Sequence, residues 1–319
     1  MTRMVTFRED TMLQPLLTQI ITMLFYAVLG FLLSKAHLIR GVQSEGLSVI
    51  CIYLAIPCAI LTAFQQDYSP ALLQSLLHAV LIILALHAVL LALYFFVLRK
   101  GLKLTPTEGV CMIYPNCGNM IIPLVTAMLG TDYVVFICPF IAIQMIFIWI
   151  HGVSALTGRK SANVKVVLTN PCTIASIAGL GMFLLNWKMP PFLYSICSTL
   201  GSFTAPLAMI VAGVLLGDLD WKQLKAFRRL PLMVVLRLIA IPLTMLCVIH
   251  LMQTATTGIV DPHIYMICFM SLTTPTAATM VQLAQLFTDD AHYVSCISSI
   301  AMIFSLITIP IMMSLYFAW

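Results

Sequence analysis

The residues best suited to chemistry in this sequence are two asparagines, Asn116 and Asn119, which lie between two prolines inside a long apolar segment. The run over positions 114–123 reads Tyr-Pro-Asn-Cys-Gly-Asn-Met-Ile-Ile-Pro. An amide side chain carries both donors and an acceptor, so the pair can offer N–H groups to an anion or oxygens to a cation. Their three-residue spacing lets both side chains reach the same side of a helix.

The two prolines predict that the helix carrying these amides is broken. Each proline lacks an N–H, and its ring clashes with the carbonyl four residues earlier. Pro115 should therefore free the C=O of Cys111, and Pro123 that of Asn119. In hydrocarbon a broken backbone survives only where it is buried in protein or lines a watery cavity. We interpret this stretch as one half of a binding site supplied by a discontinuous membrane helix.

The composition indicates a polytopic membrane protein. The 319 residues are 61% hydrophobic and 8% charged, with a mean hydropathy of +1.06, whereas soluble domains have roughly 25% charged residues. The apolar residues fall into segments of about 20, the length that crosses about 30 Å of hydrocarbon as a helix. The sequence predicts an all-α integral membrane fold, a single domain over 1–319 with ten spans at 13–34, 46–64, 71–98, 107–129, 133–157, 167–187, 190–217, 230–252, 263–286 and 292–317.

The distribution of basic residues predicts the orientation. Cytoplasmic loops are enriched in lysine and arginine, and the loops between spans 1–2, 3–4, 5–6 and 7–8 carry most of them. We therefore expect a multi-pass protein of the plasma (inner) membrane with both termini extracytoplasmic, and no nucleic-acid partner. The basic residues of those four loops are Lys35, Arg40, Arg99, Lys100, Lys103, Arg159, Lys160, Lys165, Lys222, Lys225, Arg228 and Arg229, against Arg3, Arg8 and Lys188 on the other side.

Two sequence echoes indicate an internal repeat. The segment around Pro57 in span 2 resembles that around Pro206 in span 7, and these prolines are expected to kink their helices. The segment that follows Pro115 in span 4 resembles the one that follows Pro275 in span 9, with polar and small residues in the same order. An odd number of spans in each half gives halves of opposite orientation. We predict inverted repeats over about 13–157 and 167–317.

These motifs together resemble the auxin efflux carrier family of membrane transporters, within the bile-acid/sodium symporter superfamily. The residues that carry the resemblance are the Asn116-x-Gly118-Asn119-x-x-x-Pro123-Leu124 run, Asn170-Pro171, Pro206, Gly213 and the Pro57 segment. The resemblance implies two inverted five-helix repeats whose fourth helices are broken and cross near the bilayer midplane. It implies a scaffold of spans 1, 2, 6 and 7, a crossover group of spans 3, 4, 5, 8, 9 and 10, and a homodimer. Bacterial relatives of this type move small organic anions.

The break in each half suggests where an anion would bind. Helix N-termini present free N–H groups and a positive dipole end. The alternative is that these polar groups only hold the helices together, since such residues commonly bond across membrane interfaces. The expected substrate contacts are Asn116, Asn119, Gly118, Thr274, Thr276 and Thr279, the expected breaks are at Pro115, Pro123 and Pro275, and the expected ion or path residues are Ser271, Thr273, Gln144 and Gln282.

The coupling ion is left open by the sequence. The acidic residues lie in loops or at span ends, with Glu108 the candidate exception, so no central carboxylate is available to carry protons. His78, His87 or His151 can carry a proton instead, and backbone carbonyls at the crossover can hold sodium. Arg237 lies about two turns inside span 8, and we expect its head to snorkel to the interface rather than face the cavity.

The function predicted from these features is secondary transport of a small organic anion by alternating access. The alternatives are a sodium-coupled symporter of the bile-acid type, a ligand-binding receptor and an anion channel. No ATP-binding, hydrolase or metal-binding motif is present in the sequence, so we expect no enzyme activity, no cofactor and no metal. Besides the substrate, the expected partners are membrane lipid and a second copy of the chain.

Overall fold

The computed structural model describes residues 9–159, 164–219 and 227–319, and the regular structure in these ranges is helical apart from one isolated β-bridge. Several basic residues used to predict the orientation lie outside the described residues, namely Arg3, Arg8, Lys160, Lys222 and Lys225.

The helices follow the predicted spans closely. Seven described helices, α1, α2, α3, α6, α9, α10 and α13, are long and apolar enough to cross a membrane, and the predicted spans 4, 6 and 9 each consist of two shorter helices. In chain order the helices are α1 (Glu9–Lys35), α2 (Gly41–Ala63), α3 (Pro70–Gly101), α4 (Pro106–Ile113), α5 (Cys117–Leu129), α6 (Thr131–Thr157), α7 (Val164–Thr169), α8 (Pro171–Leu184), α9 (Pro191–Gly217), α10 (Leu230–Ala255), α11 (Pro262–Leu272), α12 (Ala278–Phe287) and α13 (Ala291–Ala318).

Exposed apolar side chains mark the surface that faces lipid. Along α1, Leu17, Ile21 and Phe25 recur every four residues and are all exposed, so they form one stripe of the helix. An exposed apolar stripe of this kind would be unfavourable in water, but it is the side that a membrane helix presents to lipid. The chain is therefore a multi-pass membrane protein.

The prolines affect their helices in different ways. The predicted break at Pro123 is wrong, because α5 continues through it from Cys117 to Leu129. A proline removes one hydrogen bond and can be tolerated with a kink. In α2, the helix widens just before Pro57, where the N–H of Ile56 bonds to the C=O of Cys51, five residues earlier. In α9, Phe203 is a turn residue, and the helical segment that contains Pro206 begins directly after it, at Thr204.

Helices α1 and α9 lie in direct backbone contact because each has a glycine that faces the backbone of the other helix. A Cβ added at Gly30 would overlap the carbonyl of Ile210, and one added at Gly213 would overlap the carbonyl of Ala27. Small residues permit this close approach in membranes. Helix α2 in turn packs against α8 and α9, so these four helices form one closely packed group.

Polar contacts at the end of α9 fix the same group. The Asp218 carboxylate accepts hydrogen bonds from the hydroxyl of Ser34 and from the N–H of Gly41. The Nζ of Lys35 donates to the C=O of Gly217 at 2.7 Å, where a cation is favourable beside the last carbonyls of a helix. These bonds tie the end of α1 and the start of α2 to the end of α9.

We predict that Gly213→Ala destabilises the protein, because its methyl group would overlap backbone that cannot move independently. The free energy of unfolding should fall by about 3 kcal/mol or more, the upper range for overpacking, and the thermal unfolding midpoint in detergent measures this. The matched control is Gly181→Ala, where an added Cβ has no neighbour within 4 Å. Equal unfolding midpoints for the two variants would contradict the close contact of α1 and α9.

Candidate functional site

The two broken segments meet at their breaks. Three non-helical residues separate α4 from α5, and five separate α11 from α12. The two connections form an isolated antiparallel β-bridge. The N–H of Asn116 donates to the C=O of Pro275 at 2.8 Å, and the N–H of Ala277 donates to the C=O of Tyr114 at 2.9 Å. Each break thus satisfies backbone groups of the other. We call this contact the crossover bridge.

Threonines satisfy the carbonyls that the prolines free. The hydroxyl of Thr276 donates to the C=O of Cys111 at 3.0 Å, and the hydroxyl of Thr274 donates to the C=O of Ser271 at 2.7 Å. Both threonines are fully buried. The hydroxyls expected to contact substrate are thus engaged with the backbone, where an unsatisfied carbonyl is costly in hydrocarbon.

Arg237 joins the ends of both broken segments, and the expectation that it snorkels is wrong. Its side chain is 0% exposed. The Nε and Nη2 atoms donate to the C=O of Thr274 at 3.0 and 2.7 Å, Nη2 also donates to Leu272 O at 3.3 Å, and Nη1 donates to Met112 O at 2.9 Å. Carbonyls at a helix C-terminus lack intrahelical partners and carry a negative dipole end. These carbonyls give the guanidinium partners inside the protein, so it has no need to reach the interface.

A cavity of about 200 Å³ lies beside the crossover bridge. Helices α2 and α9 form one wall, and the start of α5 with α12 and α13 forms the other. Both Asn116 and Asn119 lie on this second wall, together with Gln282 and Gln285. Among the described lining residues, the exposed Glu45 is the one that carries a formal charge.

The amides on this wall have unused hydrogen-bonding capacity. Asn116 is 4% exposed, and its Nδ2 has no hydrogen-bond partner within the described structure. Asn119 is 8% exposed, and its Oδ1 lies 3.5 Å from the Sγ of Cys51 on α2. A buried donor without a partner is unfavourable, and here it borders a cavity that can hold one.

Two helix N-termini favour a negative charge at the end of this cavity that lies next to the crossover bridge. Helices α5 and α12 both begin at its wall, since Asn116 immediately precedes α5 and Ala278 is the first residue of α12. The first N–H groups of a helix lack intrahelical acceptors and carry the positive dipole end. Two such ends converge on one small space. The Nδ2 of Asn116, which has no partner in the described ranges, borders the same space.

Comparison with known proteins agrees with this architecture. The sequence matches the model of the membrane transport protein family over residues 15–167 and again over 163–313. The chain belongs to the membrane transport protein family. This confirms the resemblance to the auxin efflux carriers drawn from the sequence, and the family is one of transporters rather than of enzymes. No curated protein matches the chain.

Other predicted site residues of this transporter lie around the crossover bridge and do not line the cavity. Gln144 on α6 donates through Nε2 to the C=O of Pro115 at 2.8 Å, and its Oε1 has no partner in the described part of the chain. The hydroxyls of Ser271 and Thr273 bond to carbonyls of their own helix, α11. Gly118 lies against the side chain of Ile56. Thr279 is half-buried in the first turn of α12.

The titratable residues considered for coupling also lie away from the cavity wall. His87 is fully buried and stacks against Phe147, and the Nδ1 of His151 lies 2.8 Å from the hydroxyl of Tyr114. His78 is half-buried on α3. The structure therefore places all three histidines within the helix packing of the transporter.

Glu108, the candidate exception among the acidic residues, is buried at the start of α4. Its carboxylate forms a salt bridge with Arg229 at 3.0 Å and accepts a hydrogen bond from the hydroxyl of Tyr293 at 3.2 Å. It also accepts the N–H of Thr105, in a capping box at the start of the helix. Glu108 thus ties the starts of α4, α10 and α13 together.

A second cavity, of about 390 Å³, lies toward the other end of α1. It is lined by the middle of α1 and by the second half of α5, including Tyr26 and Thr126. Along α9, Thr204 lines this cavity and Ala208, one turn later, lines the first. The Sγ of Cys51 lies 3.5 Å from Asn119 Oδ1 and 3.7 Å from Thr204 O. Cys51 and its two neighbours therefore stand between the two cavities.

We predict that Thr276→Val destabilises the transporter by about 1–3 kcal/mol, the cost of leaving the buried carbonyl of Cys111 without its donor. Thermal unfolding in detergent measures the effect. The matched control is Thr308→Val, since the buried hydroxyl of Thr308 has no partner in the described ranges and its loss should be nearly neutral. Equal destabilisation by the two substitutions would show that the hydroxyl of Thr276 is not needed at the crossover bridge.

Proposed function

We propose that this family member is a secondary carrier that binds a small organic anion, such as a carboxylate, in the cavity beside the crossover bridge. The observation that carries this proposal is the buried Nδ2 of Asn116, which has no hydrogen-bond partner among the described residues and lies on the wall where α5 and α12 begin. A carboxylate there would accept the amide hydrogen bond and lie at two positive helix ends. The volume of about 200 Å³ is below the usual range of about 300–1,000 Å³ for drug-sized ligands, which favours a small substrate.

The proposed fold is ten membrane-crossing segments in two inverted repeats, over about 13–157 and 167–317. Three observations support it: the family model matches each half of the chain, the two broken segments occupy the fourth position of each half, and each break donates one backbone hydrogen bond to the other. In this proposal α1, α2, α7, α8 and α9 are the scaffold that also forms a homodimer. The remaining helices form the crossover group.

The proposed orientation follows the basic loops, with both termini outside the cytoplasm and the protein in the plasma membrane. Under this orientation the smaller cavity opens toward the cytoplasmic end of α1, because Gly41 and Glu45 lie on its wall just after that helix. The larger cavity then opens toward the opposite side. The anion would pass between them when the crossover group moves against the scaffold.

The presence of two cavities supports a carrier mechanism. A carrier exposes one site alternately to each side, and here Cys51, Asn119 and Thr204 separate the two cavities. A channel would instead need a continuous path. The polar side chains of both walls give a carboxylate a hydrogen-bonding route on either side of this barrier.

We predict that Asn116→Ala lowers the uptake of a labelled carboxylate into proteoliposomes about 10- to 100-fold, the effect of losing one hydrogen bond to a charged group. Asn116→Asp should lower it further, because a carboxylate repels the substrate, and Asn119→Ala should also reduce uptake. The control is Gln74→Ala, which removes an exposed amide on α3. Undiminished uptake by folded Asn116→Ala and Asn119→Ala proteins would refute the site. A thermal-shift screen of organic acids on the wild-type protein selects the labelled substrate.

We predict that unlabelled substrate inside the vesicles accelerates the entry of labelled substrate. The substrate site of a carrier reorients faster across the membrane when substrate is bound, so substrate on the inner side of the vesicle accelerates uptake from the outside. A channel shows no such stimulation. The measurement compares initial uptake into vesicles loaded with substrate or with buffer. Flux without stimulation would indicate a channel, and saturable binding without any flux would indicate a receptor.

A further inference from the structure

Arg237 is a buried cation with an unusual set of partners. It lies in a widened turn of α10, Leu236–Ala240, which directly precedes Ile241 and Pro242. Its four hydrogen bonds all go to backbone carbonyls, and within the described residues it forms no salt bridge. A buried charge without a carboxylate is rarely tolerated. The partial negative charge of the carbonyl groups must therefore stabilise it.

In other carriers with broken helices, backbone carbonyls of the same kind bind the coupling cation. Unwound backbone and the C-terminal ends of half-helices coordinate sodium there. Here Met112 O comes from the end of α4, Leu272 O from the end of α11, and Thr274 O from the connection that follows α11. The guanidinium bonds to both half-helix ends at once. A second cation at this place would compete for the same oxygens and be repelled at short range.

We propose that the guanidinium of Arg237 is a built-in cation that takes the place of a coupling ion at the crossover, so that the carrier binds its anion without sodium. The part of this inference that concerns the anion rests on the proposed function. Arg237 does not line the cavity, so it acts as a positioning residue. It holds the ends of α4 and α11 together, which fixes the crossover bridge from which α5 and α12 begin.

The first test uses the wild-type protein and needs no substrate. Its thermal unfolding midpoint is measured in sodium chloride and in choline chloride of equal ionic strength. We expect the same midpoint in both salts, because a ligand stabilises only a site that it can occupy. A higher midpoint in sodium than in choline would overturn the inference. Carboxylate uptake in the two salts gives the second readout, with sodium-independent uptake expected.

The second test removes the guanidinium. Arg237→Ala is purified with and without guanidinium chloride at about 10 mM, far below the molar concentrations that denature proteins. We expect guanidinium to raise the unfolding midpoint of Arg237→Ala and to restore part of its uptake, with no effect on the wild type. The control is Arg99→Ala, which removes an exposed arginine on α3 and should show no response to guanidinium. A folded Arg237→Ala protein whose unfolding midpoint and uptake do not respond to guanidinium would overturn the inference.

Two further variants decide the matter if Arg237→Ala does not fold. Arg237→Lys keeps the charge with fewer donors, and Arg237→Gln keeps donors without the charge. We expect the lysine variant to remain insensitive to sodium and the glutamine variant to be stabilised by it, because only the second leaves the carbonyl site without a cation. If Arg237 has a purely structural role, both variants should be destabilised and neither should respond to sodium. That result would overturn the inference.

The outcomes separate this inference from the proposed function. Unfolding midpoints report on the carbonyl site whether or not a carboxylate is transported. Absence of carboxylate uptake by the wild-type protein in both salts would contradict the proposed function alone. Carboxylate uptake that requires sodium would support the proposed substrate class and overturn the role of Arg237 as the resident cation.

Discussion

The structure depends on one constraint, namely that backbone groups freed by a helix break in hydrocarbon must find partners inside the protein. The two broken segments meet this constraint together. Each connection donates one N–H to the other, and threonines donate to the carbonyls of Cys111 and Ser271. Gln144 adds a bond to the carbonyl of Pro115. The polar residues at the breaks thus hold each other, and neither break would be stable in lipid without the other.

The same arrangement produces an electrical asymmetry. Four helix ends meet near the crossover bridge, two with free carbonyls and two with free N–H groups. Arg237 bonds to the carbonyl ends, and the N–H ends lie at a cavity bordered by the Nδ2 of Asn116. This atom has no hydrogen-bond partner in the part of the chain that the structure describes. The protein therefore supplies the cation for one side of the crossover. In our proposal the substrate supplies the anion for the other.

The sequence indicates the position of the two amides better than that of the threonines near them. Asn116 and Asn119 do line one cavity, because a three-residue spacing is a local property of the chain. Thr274 and Thr276, on either side of Pro275, are expected there too, but their hydroxyls bond to carbonyls. The carbonyl that Thr276 reaches belongs to the other broken segment, so the local sequence does not specify it. Arg237 was misplaced for the same reason. A charge inside an apolar span was the available signal, since such residues are rarely without a role.

The sequence by itself determined that the chain is a multi-pass membrane protein with irregular backbone near Pro115 and Pro275, because hydropathy and missing proline N–H groups act over a few neighbouring residues. The sequence did not determine the effect of Pro123, because a helix can lose a single hydrogen bond at a proline and continue. Helix α5 does continue through Pro123. Only the tertiary structure decided which freed groups meet, where the two cavities lie and that Arg237 joins α4 to α11. Those features require segments more than a hundred residues apart in sequence to come together, and no local pattern specifies that pairing.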